Sequence, residues 1–164
     1  MRKICILLCC VLILQLFCSC SGKREDFREP VNFYYGNKEI SYNSPTGVIR
    51  AEVREGSSFH GNLTAFLLAY LLGPASTELY SFIPSDVYVV SCEVNENTAT
   101  IVLSAQFADL SGVELSAACS ALLMTLHDYT GAETLIISAK DSQLDAKDEI
   151  IIQMGDIVLM DTAG

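Results

Sequence analysis

Two histidines and seven cysteines are the residues that could carry nucleophilic or metal chemistry in this chain, and their spacing restricts both. His127 follows Cys119 by eight residues inside a stretch of helical periodicity, so the two lie about 12 Å apart along the axis at about 1.5 Å per residue. A general base must sit within hydrogen-bond reach of the thiol it activates, which this spacing does not allow. The expectation is a core thiol at Cys119 and a surface imidazole at His127, near a helix C-terminus where positive charge is favoured. His60 stands alone before an earlier helix. No GxGxxG, phosphate-loop, GxSxG or HExxH pattern occurs. Residues 141–149, DSQLDAKDE, are acidic enough to invite calcium. They lack the alternating ligands and central glycine of an EF-hand, so a solvated acidic loop is expected instead. No catalytic residue, metal or cofactor is expected.

Five of the seven cysteines fall within the first twenty residues, where they accompany a different kind of signal. Arg2 and Lys3 open the chain, residues 4–17 are almost wholly apolar, and the small Ser19 precedes Cys20, the three-part layout of a secretory signal. As a helix the apolar run would span roughly 21 Å, short of the roughly 30 Å of a bilayer core. A cysteine directly after a small residue, with Leu16 and Phe17 upstream, resembles the lipobox of bacterial lipoproteins, whose mature cysteine carries lipid. Cys20 is the expected lipidation site, in preference to Cys18, which follows the bulky Phe17. The alternative is an ordinary secreted protein. The lipobox reading places the chain on the extracytoplasmic face of a bacterial membrane.

Removal of residues 1–19 leaves 145 residues, enough for one domain with a real core. It leaves 8 basic residues against 20 acidic ones, a net charge of −12. Phosphates would be repelled, so nucleic acid is not an expected partner. Residues 20–29 have no hydrophobic period and read as a flexible tether reaching roughly 17 Å. The domain then runs over 30–164.

Only Cys92 and Cys119 lie in that body, too few for a disulfide framework. Cys92 shares a strand alternation with Tyr88, Val90 and Val94. Cys119 shares a helix face with Leu115 and Leu122. Both thiols should point inward, and a disulfide between them is the alternative for an exported chain.

Strands are expected at 31–35 and 47–55. Leu63, Phe66, Leu67, Tyr70 and Leu71 then repeat with helical spacing, and Leu68 and Leu72 widen that face, so a well-buried helix ending at Gly73-Pro74 is expected. A hairpin follows at 87–94 and 98–104, then a helix at 112–131, a strand at 133–139 and an apolar pair at 149–153 and 156–160. This order predicts a single α+β domain, with two helices on one face of an antiparallel or mixed sheet and extra terminal strands.

LLGPASTELYSFIP (71–84) resembles the signature of GerMN domains, in which a helix ends in Leu-Leu-x-Gly-Pro and a loop leads to Ile-Pro. ATIVLS (99–104) and LLMTLHDYTGAETLIIS (122–138) are similar to later motifs of that family, although Val102 stands where a polar residue is usual. The resemblance implies a βαββαβ core like the ring-building motifs of sporulation assemblies. It also implies a non-catalytic protein-interaction or assembly module, on lipoproteins linked to sporulation or germination. Its rival is an accessory module for a cell-wall glycan or small ligand, signalled by an exposed aromatic cluster at Tyr80 and Phe82; otherwise those rings cover the underside of their loop. The apolar pair around Ile151 and Val158 is expected to form a hairpin, used for self-association or a protein partner, or else buried within the monomer.

Overall fold

A computed structural model describes residues 30–39, 47–59 and 61–157. Cys20, His60 and Val158 lie outside the described residues. Seven strands and two helices follow the order β1 (Val31–Asn37), β2 (Ile49–Arg54), α1 (Leu63–Leu71), β3 (Leu79–Tyr80), β4 (Val89–Asn95), β5 (Thr98–Leu103), α2 (Gly112–Thr130), β6 (Thr134–Ala139) and β7 (Ile150–Gln153). The class is α+β, with the strands divided between a three-stranded sheet, β2-β1-β3, and a four-stranded sheet, β4-β5-β6-β7. In the larger sheet only β5 and β6 run parallel, because α2 provides the crossover between them.

Both helices pack on the inner face of the four-stranded sheet, built from Ala99, Ile101, Leu103, Leu135 and Ile137. On their other side they meet the three-stranded sheet. This position between two sheets explains why α2 buries residues around most of its circumference, from Leu115 to Tyr129. The junction is aromatic. Phe66 stacks on Tyr129 at 3.9 Å between ring centroids and meets Phe33 edge-on at 4.9 Å, while Tyr35 stacks on Tyr70 at 5.1 Å. The Tyr35 hydroxyl donates to the Tyr70 carbonyl and the Tyr70 hydroxyl donates to the Tyr34 carbonyl, so both of these phenols have acceptors.

The edge of β1 beyond the short β3 is closed by α2 in place of a strand. Tyr34 N–H donates to Thr125 Oγ1 at 2.9 Å, Asn32 N–H donates to an Asp128 carboxylate oxygen, and the Thr125 hydroxyl donates to the Ala121 carbonyl. Gly131, with φ 78°, caps α2 in the left-handed conformation that glycine accepts freely.

Three details depart from the sequence expectation. β3 forms inside the loop expected between Gly73-Pro74 and Ile83-Pro84. Leu68 and Leu72 are exposed, because α1 presents Phe66, Leu67 and Tyr70 to the core and turns this second stripe outward. A bulge between Val89 and Ser91 breaks the alternation of β4, so Val89 packs against the core with Cys92 and Val94 while Tyr88 and Val90 face solvent. β7 pairs with β6, residues 154–156 form a compact 3-10 turn after it, and the second strand of the expected terminal pair, 156–160, lies mostly outside the described residues.

Candidate functional site

Among the described residues, those with reactive side chains are spread over the fold without converging. Burial pushes the Cys119 thiol up to about 12, so it stays protonated. Cys92 is half-buried with its sulfur 3.4 Å from Thr64 Oγ1, and both cysteines are free thiols. Replacing either by Ala or Val should cost stability, typically under about 3 kcal/mol, without altering partner binding. Denaturant melts and the mass of the unreduced protein check this. A mass lower by two hydrogens would instead show a disulfide. His127 sits at the C-terminal end of α2, its Nδ1 3.0 Å from the Ala132 carbonyl oxygen and 3.8 Å from Glu133. Among the described residues no three His, Cys, Asp or Glu side chains gather as a metal site.

The acidic loop has a structural task instead. Leu144 anchors it in the core, and Asp145 accepts the Gly112 N–H at 3.1 Å, where the α2 dipole favours negative charge. Beside it, Val102, Ser138, Lys140, Asp141, Ser142, Gln143 and Asp148 line an open groove of about 510 Å³ at the carboxyl ends of β5 and β6.

What remains is surface. The helices occupy one face of the four-stranded sheet, and no described element covers the other. Register aligns Glu93, Thr100, Ile136 and Ile151 as one cross-strand row on that bare face, with Ser91, Val102 and Ser138 in the next. Ile151 is 58% exposed at the sheet edge, while Ile150 and Ile152 turn to the core. Met154 N–H bonds Glu133, which in an antiparallel ladder points the Ile151 backbone groups outward. The next outward donor, Gln153 N–H, is taken by Asp156 at 3.3 Å. The free edge of β7 is thus narrow, and the face offers more contact than the edge.

Tyr80 and Phe82 do meet, edge to face at 5.1 Å. Tyr80 lies directly opposite Gly36, and a Cβ there would come within 2.3 Å of the outer end of the Tyr80 ring, so a larger residue at 36 would push that ring aside. One face of Tyr80 is therefore committed to β1, with 37% of the residue still exposed.

The loop between α1 and β3 shows why its sequence is so particular. Gly73, at φ 87°, ends α1, and Pro74 aims the next two backbone N–H groups at β2. Ala75 and Ser76 donate to the Glu52 carboxylate at 3.2 and 2.8 Å, and Arg54 pairs with the same group. Burial pushes this carboxyl up, but the Ser76 and Ala75 N–H bonds and the Arg54 guanidinium outweigh it and hold Glu52 below the ordinary carboxylate value.

No family model and no curated protein matches the sequence. Solved structures do. Tandem GerMN domains of the sporulation protein GerM from Bacillus subtilis superpose with a TM-score of 0.53 at 15% identity, covering 76% of this chain and 43% of that one. The fold is GerMN-like. A Clostridium perfringens protein provisionally named a lipoprotein superposes with a TM-score of 0.49 at 16% identity, over 78% of this chain and 90% of that one. At such identities the GerMN likeness speaks for the fold alone, and this chain spans less than half of the tandem structure.

The charged side chains of β2, not its apolar ones, face the aromatic core. Arg50, Glu52 and Arg54 stand opposite Tyr35, Phe33 and Val31, while Ile49, Ala51 and Val53 take the outer face. The alternation in the sequence is plain, but only the Glu52 clasp decides which side turns in.

Proposed function

We propose that this chain is a lipid-anchored, non-catalytic GerMN-type module that binds a protein partner, or a second copy of itself, on the extracytoplasmic face of the membrane. The observation that carries it is the bare face of the four-stranded sheet, which has Glu93 as its one charge in the two rows described and Ile136 and Ile151 side by side. A sheet face that a monomer leaves open is normally polar, so an exposed Ile151 beside a half-buried Ile136 fits a docking surface. The Ser19-Cys20 junction supports the anchor, and the GerMN-like fold supports an assembly role related to sporulation or germination. Among the described residues no helix is long and apolar enough to cross a membrane.

Two substitutions test the two halves of this reading. Cys20→Ser should move the protein from the membrane fraction to a soluble or unprocessed form; release of the wild-type protein without detergent would refute the anchor. Ile151→Lys should abolish association in sedimentation velocity while the circular dichroism stays native, because the side chain is already exposed. Global unfolding would place Ile151 in the core and refute the surface. The second reading, a glycan or small-ligand module, draws on the polar groove beside Ser138 and Gln143.

A further inference from the structure

The outer face of the three-stranded sheet is apolar where a solvated face should be polar. Ile49, Ala51 and Val53 of β2 share it with Tyr34 of β1 and with Tyr80 over Gly36; Val53 is 64% exposed, and the neighbouring Val48 is 49% exposed. Phe82 extends it through its contact with Tyr80. Both helices lie on the opposite side of this sheet or along its edge, so no described element covers it.

The chain itself indicates what does. Pro30, the first described residue, lines an open hollow of about 440 Å³ together with Val53, Arg54 and Glu55, so the chain enters the domain at the Val53 end of this face. Ten residues from Cys20 through Glu29 precede it, which even fully extended span at most about 35 Å. A lipid on Cys20 would therefore hold this end of the domain near the bilayer. Charge selects the same side. Residues 30–80 carry Lys38, Arg50 and Arg54 against four carboxylates, a net −1, whereas residues 81–157 carry Lys140 and Lys147 against twelve, a net −10. An anionic headgroup layer repels the second set and tolerates the first. Tyrosines with an apolar body and a polar tip suit the boundary between headgroups and acyl chains.

We propose that the outer face of β2-β1-β3 is a second membrane contact, resting Val53, Ala51 and Tyr80 on the bilayer surface and turning the four-stranded sheet, with its open face, away from the lipid. It rests on the lipid anchor at Cys20. The anchor fixes distance; this face fixes orientation. Partner binding through Ile136 and Ile151 then occurs on a surface that the membrane does not occlude.

The test uses full-length lipidated protein reconstituted into vesicles of phosphatidylcholine and phosphatidylglycerol. In a Cys92→Ala, Cys119→Ala background, a polarity-sensitive fluorophore is placed on Val53→Cys or on Glu93→Cys. The Val53 probe should shift to the blue and be quenched several-fold by a lipid-borne nitroxide, and the Glu93 probe should not. Amide exchange on the chain with its native body gives a second measure, since anchoring should slow β2 several-fold relative to the Cys20→Ser protein. Protein that floats with vesicles but shows equal quenching at both positions and unslowed β2 overturns the membrane contact and spares the anchor. Failure to float overturns the anchor and the contact with it. Slow β2 exchange in Cys20→Ser protein without vesicles, growing with concentration, would assign the face to a second copy instead.

Discussion

Phe66→Ala should destabilise the domain by about 3–5 kcal/mol, the range for removing a fully buried aromatic ring. Phe66 has no exposed surface and is the hub of the junction between the sheets. Its ring stacks on Tyr129, meets Phe33 edge-on, and meets Phe59 edge-on at 5.3 Å. Truncation would leave a cavity bounded by β1, α1 and α2 at once, with little freedom for any of them to collapse into it. Single domains of this size typically have about 5–15 kcal/mol in total. A urea titration followed by circular dichroism should show a large fall in midpoint. Phe66→Leu, which keeps most of the volume, should recover more than half of the loss. A fall below about 1 kcal/mol for the alanine variant would mean that the two sheets are not held together through this ring.

The elements that carry long or regular periods were legible in the sequence: α1, α2, the β4-β5 hairpin and β6 stand where their spacing predicts them, within one or two residues. What the sequence did not disclose depends on contacts made at a distance. β3 is two residues long and sets the Tyr80 ring over Gly36, a contact 44 residues apart in sequence. The bulge in β4 inverts Tyr88 and Val90 without changing the apolar character of the run, so no pattern of residue types marks it. The three consecutive isoleucines at 150–152 suggested a strand apolar on both faces, and they are that, with Ile151 outward; the chain beyond then turns through residues 154–156 because Asp156 and Gln153 cap each other. Of the named surface residues, Ile151 and Tyr80 are exposed, and Phe82 packs partly against the core. The bare sheet face around Ile136, by contrast, emerges only once β5, β6 and β7 are placed in register.

Glu52 is the least conspicuous of the residues that matter, and replacing it should have the second largest effect. Glu52→Ala should cost about 2–3 kcal/mol, since it strands the Ala75 and Ser76 N–H groups and leaves Arg54 without its carboxylate beside the Phe33 ring. Glu52→Gln retains an acceptor for the loop but not the charge, and should cost roughly half as much. The two variants separate packing from charge through their pH dependence. The folded-state pKa of Glu52 is depressed relative to the unfolded value of about 4.3, so the stability it contributes is fully present above that value and is lost as pH falls through the lower folded one. Wild-type protein should therefore lose stability on acidification through this window faster than Glu52→Gln does, and the two curves should converge at the acid end. Melting temperatures measured from neutral pH down to the acid limit of solubility would show it. Parallel curves would mean that the carboxylate is not the group clasped by the loop, and that the reversed orientation of β2, with Ile49, Ala51 and Val53 facing out, must have another cause.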